Sequence, residues 1–333
     1  MDKARAERVY MPAAVEALKE FPIEAEPPRL VVMNENVTFR VKDRAGASYV
    51  LRLHRPGYHD LTELNGERVW LRALAAAGIG VPSPVRATDG RDYVPVFVAA
   101  TGETRYTGLT RWIEGEIVAE VLQRTDDGRV VEQYFAQLGS IMSSMHNQAS
   151  GWSAPSSFTR HAFDANGLMG ENPFWGRFWE HDELTVDERH TLLAARRLIH
   201  GALVRYGRDP QTYSMIHADL HHHNVLVDGE RLTVIDFDDA GFGWHQYDIA
   251  VAFYHSRTTP NFAGVERAFL DSYRARRAIT DEALALVPMF QLIRGMALIG
   301  WKHLRPEVEW PDGRFEQIKA GVMSQCATFE PPC

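Results

Sequence analysis

The apolar residues of this chain change their spacing once, near Trp112, and that change limits the folds open to it. Before it, apolar and polar residues alternate. Val37, Phe39 and Val41 alternate with Thr38, Arg40 and Lys42, and after the turn Asp43-Arg44-Ala45-Gly46, Tyr49, Leu51 and Leu53 alternate with Val50, Arg52 and His54. Period two across a Gly-containing turn predicts a β-hairpin. Further strands are expected near 94–99 and 108–113, with helices over 10–20 (Pro12 in its opening turn) and 61–77. After the break at residues 112–116, apolar positions recur at three and four. They predict helices over 130–146, 183–206, 262–277 and 281–303. One short β segment, residues 214–241, sits between them. A small β-rich part followed by a larger helical part with one embedded hairpin is therefore the expected plan.

Composition narrows the function classes. At 45% hydrophobic and 24% charged residues, the chain is globular rather than disordered or low-complexity. A net charge of −8 argues against a dedicated nucleic-acid binder and suits a cationic substrate. Two cysteines, Cys326 and Cys333, provide no disulfide framework or Cys-based zinc site and fit a reducing cytoplasm. The opening residues alternate in charge and do not resemble a signal peptide. No run approaches the ~20 apolar residues of a membrane helix, so neither a membrane nor a nucleic acid is expected as a partner.

The embedded segment carries the chemistry. It reads His217-Ala218-Asp219-Leu220-His221-His222-His223-Asn224 and, after a turn, Ile235-Asp236-Phe237-Asp238-Asp239. Asp219 and Asn224 lie five apart in one loop, and Asp236 closes the returning strand. Phosphoryl transfer from ATP needs such a set. One carboxylate orients the attacking hydroxyl and accepts its proton, while an amide oxygen and a second carboxylate hold Mg²⁺, a hard cation. Asp219 is the expected catalytic base, and Asn224 and Asp236 the expected metal ligands. Turn formation and capping account for the same residue types less well, because three such residues seldom fall in this order.

The segment Ile216 to Ala250 resembles the Brenner-type motif of the aminoglycoside phosphotransferase and choline kinase family. That family's pattern can be followed over residues 10–305, and the stress-response kinase A and type II homoserine kinase branches are similar. The resemblance implies an α+β, bilobal protein-kinase-like fold with a small β-rich N-lobe and a larger, mainly helical C-lobe. Residues 1–111 would form the nucleotide-binding lobe. Residues 112–333 would carry the catalytic loop and acceptor site. It implies ATP and Mg²⁺ as cofactors and the same roles for Asp219, Asn224 and Asp236. The family's phosphate-holding Lys falls at Arg52, a planar fork in place of a point charge. Its helix partner would be Glu67, with Glu63 as the alternative. The phosphate-capping loop would be residues 33–37, including Asn34 and Asn36, since the Gly-rich loop of protein kinases is absent. The hinge beside adenine would include Trp112.

Eleven residues separate Asp236 from Asp248, too few for the activation segment of a eukaryotic-type protein kinase. This favours a small-molecule hydroxyl acceptor of amino alcohol, amino acid or amino sugar type. A Ser/Thr protein kinase of the stress-response kinase A type is the alternative. Asp248 is expected to anchor the catalytic loop, with a helix beginning directly at residue 241. Candidate acceptor residues are Asp238, Asp239 and Glu171. Arg294, on an apolar helix, would pair with an acid such as Asp239 or face the acceptor. Phe158, Phe163, Phe174, Trp175, Phe178 and Trp179 would either pack a helix pair or wall the acceptor. Two further classes are a metal-dependent hydrolase built on His217, His221, His222 and His223, and a non-catalytic nucleotide sensor suggested by Arg52.

Overall fold

The computed structural model describes residues 3–331. Cys333, one of the two cysteines considered above, lies outside the described residues, while Cys326 is half-buried with a free thiol. In chain order the elements begin with α1 (Lys3–Leu18), β1 (Arg29–Met33), β2 (Val37–Lys42), β3 (Ser48–Leu53), α2 (Leu61–Ala76), β4 (Pro84–Val85), β5 (Tyr93–Val98) and β6 (Glu103–Arg111). Then come β7 (Glu116–Ile117), α3 (Val118–Leu122), α4 (Gly128–Gly151), β8 (Ala162–Phe163), α5 (Ala165–Met169), α6 (Val186–Tyr206), β9 (Tyr213–Ile216), β10 (Val225–Asp228) and β11 (Arg231–Val234). The chain closes with β12 (Gly241–Trp244), α7 (His245–Tyr254), α8 (Phe262–Arg274), α9 (Asp281–Leu284), α10 (Val287–His303) and α11 (Arg314–Thr328). Two compact units result. The first comprises residues 1–116, 153–160 and 226–235, and the second comprises 117–152, 161–225 and 236–333.

The first unit is a six-stranded sheet, β1-β2-β3-β6-β4, with β5 also paired to β6. Alternation dictates its inward face. Val37, Phe39 and Val41 of β2 and Leu51 and Leu53 of β3 are buried, and Thr38, Arg40 and Arg52 are less so. Against them lies α1, which buries Ala6, Tyr10, Ala13, Ala14, Ala17 and Leu18, spaced along one helical stripe. The helix starts at Lys3, so Pro12 stands inside it and not in its first turn. Residues 3–9 hold good helix formers, and packing outweighs the hydrogen bond Pro12 cannot donate. Burying one such large apolar side chain contributes roughly 1.5–3 kcal/mol. The helix α2 opens on Asp60, whose carboxylate accepts from Glu63 N at 2.8 Å. Gly66 in α2 touches the Thr159 carbonyl so closely that a Cβ would collide with it, which places residues 153–160 in this unit.

The second unit is helical around a small sheet, β8-β12-β9. The strand β12 corrects the expectation of a helix at residue 241. Gly241 and Gly243 carry no apolar alternation, yet their missing side chains let β12 pair with β9 and β8: a Cβ on Gly243 would collide with Ile216. Only then does α7 begin, buried along its whole length. The expected helix 281–303 is two helices, α9 and α10, broken at Ala285–Leu286, with Pro288 in the first turn of α10. By length and composition this stretch could cross a membrane, but most of it is buried against other elements. The sequence reading had no element at α11, which packs on α10 and α6.

Candidate active site

The catalytic loop leaves β9 and is anchored by Asp248 of α7. Asp248 accepts from His217 N at 3.0 Å and from Ala218 N at 2.7 Å, as expected of a loop anchor. Ala218 sits at φ 65°, the left-handed region that non-glycine residues rarely enter, and is fully buried. Those two amide bonds hold it there. Asp219 follows directly. Its carboxylate is gripped on both oxygens. Arg294 Nη2 of α10 donates to Oδ1, and Asn224 Nδ2 donates at 2.9 Å both to Oδ2 and to the Asp219 main-chain oxygen. His221 Nε2 lies 3.5 Å from Oδ1. Burial alone would raise the Asp219 pKa, but His221 and Arg294 outweigh it and hold the carboxyl far below the usual carboxylate range. Asp219 is therefore ionised at any working pH.

Asn224 is placed by its own N–H, which donates to His221 O at 2.8 Å in a 3-10 turn over residues 222–224. Because its amide nitrogen carries both bonds to Asp219, its oxygen is the atom left for a cation. Asp236 leaves β11 at φ 64° and is exposed. The next residue, Phe237, is buried with its ring 4.7 Å from that of His217. Asp219, Asn224, Asp236, Asp238, Asp239 and Arg294 thus all belong to the second unit.

Arg294 is buried and donates to Asp219 Oδ1. Burial would lower its pKa, but Asp219, Tyr247 and Asp239 more than offset this and keep the guanidinium charged. Asp239 accepts from Trp175 Nε1 at 3.4 Å, and its carbonyl contacts His161 Nε2 at 3.1 Å. Trp175 stacks on Phe163 (4.5 Å) and Tyr247 (5.7 Å). Phe174 stacks on His161 at 3.9 Å. The aromatic segment is largely packed into the second unit. Phe178 and Trp179 are core, and Trp175, also buried, brings its indole N–H to Asp239. Glu171 is drawn off to Arg196 at 2.7 Å on the surface. Tyr247 was not singled out from sequence, since within α7 it reads as one apolar position among many.

The residues assigned to the nucleotide lie in the first unit. The loop between β1 and β2 is closed by Asn34 N donating to Asn36 O at 3.2 Å. The Asn36 side chain is buried and accepts from Arg55 N at 2.9 Å, and Glu35 pairs with Arg55 at 2.7 Å. Arg52 stands on β3 opposite Thr38 and Gly108. Glu67 is buried on α2, and its Oε2 has no hydrogen-bond partner among the described residues. Such an oxygen suits a cationic or hydrogen-bond-donating partner. Glu63, the alternative, contacts His59 Nδ1 at 3.1 Å. Trp112 follows β6, its main-chain N–H donating to Ser48 O at 2.9 Å, and Arg40 lies over its ring at 4.1 Å.

Of the histidines, His217 is buried in the loop and its Nδ1 accepts from Asp219 N at 3.3 Å. His221 and His222 lie within ring contact of each other and of both His223 and His255. Burial, with neighbouring positive charge, depresses His222 to about 3 and His255 to about 2.

Comparison with known proteins agrees with this geometry. A family model described as "Phosphotransferase enzyme family" matches residues 31–284. Amicoumacin kinase of Bacillus subtilis (strain 168) is 24% identical over 299 residues, covering 86% of this chain and 83% of that protein. The solved structure of a microcompartment-associated aminopropanol kinase superposes with a TM-score of 0.77 at 30% identity, covering 98% of this chain and 94% of its own. Amicoumacin kinase hAmiN, solved in complex with AMP-PNP, Ca²⁺ and Ami, superposes at a TM-score of 0.79 with 20% identity over 99% and 98% of the two chains, and so shares the fold. The chain belongs to this phosphotransferase family, with its protein-kinase-like α+β fold, and is an ATP-dependent kinase acting on a hydroxyl of a small molecule.

Proposed function

We propose that Asp219 orients the acceptor hydroxyl and takes its proton as the γ-phosphoryl group of ATP is transferred. Asn224, through its amide oxygen, and Asp236 would hold Mg²⁺, which neutralises charge developing on the phosphates. The observation that carries this reading is the Asp219 carboxylate, ionised and gripped on both oxygens beside an amide whose oxygen is left over. Arg52 and Glu67 would serve the α- and β-phosphates, the backbone of Asn34 to Asn36 would cap them, and Trp112 would lie beside adenine. On this reading residues 1–111 are the nucleotide-binding lobe and 112–333 the lobe with catalytic loop and acceptor site, in a cytoplasmic enzyme.

The acceptor, we infer, carries an amine. Around the base the acids Asp219, Asp238 and Asp239 outnumber the guanidinium of Arg294, which Asp219 already engages. Asp239, whose carboxylate accepts from the Trp175 N–H, lies beside an aromatic cluster, a setting that suits ammonium. A protein acceptor is disfavoured by the short Asp236–Asp248 connection, which β12 fills.

Two measurements test this. In an ADP-release screen, amino alcohols should turn over at least tenfold better than matched diols or hydroxy acids. Preference for the acids would overturn the acceptor assignment, and no turnover with any hydroxyl would leave a sensor. Asp219→Ala should abolish transfer with ATP binding nearly intact, whereas Asp236→Ala should weaken Mg·ATP binding itself. Equal, mild effects of both would refute the assigned roles.

A further inference from the structure

The loop between β1 and β2 is held from the side of the sheet opposite Arg52, by two arginines that no step above uses. The register that pairs Val37 with Leu53 runs on past the strand ends and sets Glu35 across from Arg55, and the register that pairs Leu53 with Thr107 sets Arg105 beyond Arg55. Arg55 Nη1 donates to Glu35 Oε1 at 2.7 Å, and its main-chain N–H donates to Asn36 Oδ1 at 2.9 Å. Arg105 Nη1 donates to the Glu35 main-chain oxygen at 3.4 Å. Glu35 is thus held at its carboxylate by one guanidinium and at its carbonyl by another. All these residues belong to the first unit.

Each arginine is fixed in turn. Arg105 is buried. Its Nε donates to Glu103 Oε1 at 2.7 Å and its Nη2 to the Tyr10 hydroxyl of α1 at 3.3 Å, with the guanidinium 4.8 Å over the Tyr10 ring. Tyr10 is part of the core between α1 and the sheet, together with Val37 and Leu53. Arg55 lies over the Tyr58 ring at 4.3 Å. Alternation along β3 puts Arg52 on the face away from Leu51 and Leu53. The two arginines therefore support the loop from the α1 side, while Arg52 stands on the face assigned to the phosphates. The side chain of Arg55 is 25% exposed and that of Glu35 is 19% exposed, so their ion pair is partly shielded and differs from the freely solvated pairs that contribute little.

The charge on Glu35 makes this support matter. A loop that caps phosphates with its N–H groups works through positive potential, and a carboxylate at its centre opposes the anion it is meant to meet. The guanidinium of Arg55 compensates that charge and holds the side chain at the end of β3. The carbonyl of Glu35 is committed to Arg105. Because a trans peptide sets its C=O and N–H in opposite directions, the Asn36 N–H then points away from Arg105.

We propose that Arg55 and Arg105 are positioning residues for the nucleotide: they compensate the Glu35 charge and fix the peptide between Glu35 and Asn36, and so give the loop of residues 33–37 the shape in which it caps the phosphates. Through Tyr10, α1 belongs to the same support. The inference rests on that loop being the one that meets the phosphates.

The test compares binding of Mg·AMP-PNP with binding of adenosine by calorimetry, and measures KM for ATP and kcat alongside. In Arg55→Met the affinity for Mg·AMP-PNP should fall, and KM for ATP rise, by about tenfold or more, the weight of one charge-assisted hydrogen bond. Adenosine carries no phosphate and should bind as before, and kcat at saturating ATP should change by less than about threefold. Arg55→Lys restores the charge and should recover most of the loss. Equal weakening of both ligands, unchanged binding of both, or no recovery in Arg55→Lys overturns the proposal. Should Arg55→Met not fold, Tyr10→Phe answers instead. It keeps the ring of α1 packed and takes one acceptor from Arg105, so Mg·AMP-PNP affinity should fall by about two- to fivefold with adenosine unchanged. An unaltered affinity there again overturns it. Asn34→Asp, which adds a charge to the loop at constant size, separates the two readings. Mg·AMP-PNP binding unmoved in Asn34→Asp refutes the place of the loop at the phosphates, whereas weakening there with Arg55→Met unmoved refutes only the positioning role.

Discussion

Replacing Arg294 by Met tests whether the grip on Asp219 is energetically real. The Arg294 side chain is 8% exposed and that of Asp219 is 23% exposed. Removing one partner of a fully buried pair costs about 3–5 kcal/mol, because it strands a charge in low dielectric. Here Asp219 is partly wetted and keeps the Asn224 amide, so a loss of about 2–3 kcal/mol is expected. Urea unfolding followed by tryptophan fluorescence reads it as a lower midpoint at unchanged slope. The double variant Asp219→Asn with Arg294→Met removes both charges and should recover at least half of the summed single losses. In activity, Arg294→Met should lower kcat by about 10- to 100-fold, equivalent to about 1.4–2.7 kcal/mol of lost transition-state stabilisation. A double variant as unstable as the sum of the singles would show that the two groups do not interact, and the account of Asp219 would fail with it.

Two other outcomes follow from the same chemistry. Arg52→Lys should keep or raise turnover, since Lys supplies the point charge usual at that strand position; steady-state kinetics would show complete loss if the fork geometry is required. Thermal stability should fall as pH drops below about 6.5, because His146, His222, His245 and His255 are neutral in the folded state but protonate when unfolded. Their folded pKa values are depressed, so each costs up to about 1.4 kcal/mol per pH unit below 6.5. Asp248, whose folded pKa is raised to about 6, offsets part of this loss. A melting temperature equal at pH 7.5 and 5.5 would contradict the buried, neutral histidines.

What the sequence revealed depended on how locally each feature is encoded. The strands β2 and β3 were legible because alternation is a nearest-neighbour pattern, and their bounds agree with it. Asp219, Asn224 and Asp236 were legible because a loop and a hairpin keep them within eighteen residues of one another. The strand β12 was not, since its two glycines permit pairing by what they lack. Nor was the start of α1, where a proline at position ten of the helix is tolerated through packing on the sheet. The partner of Arg294 lies 75 residues away, and His146 contacts Tyr273 and Asp248 across 127 and 102 residues. Nothing in the spacing of one chain announces such pairs; the only local hint was a charged or imidazole side chain on an otherwise apolar helical face, which states that a partner exists but not which.

The surroundings of Asp219 also bear on how it works. A strong general base would be an isolated carboxylate with a raised pKa, poised near the operating pH. Asp219 is the reverse: ionised, low in basicity, and tied on both oxygens. Phosphoryl transfer passes through a loose transition state in which the nucleophile needs little deprotonation before the bond to phosphorus forms. A pinned, weakly basic carboxylate is suited to that course. In the role proposed for it, Asp219 would align the hydroxyl by accepting its hydrogen bond and take the proton only once the oxygen has turned acidic in forming the ester. The cost of the arrangement falls on the backbone, in the left-handed turn at Ala218, and Asp248 bears it. Orientation, rather than proton affinity, is then what the residues around this site are arranged to supply.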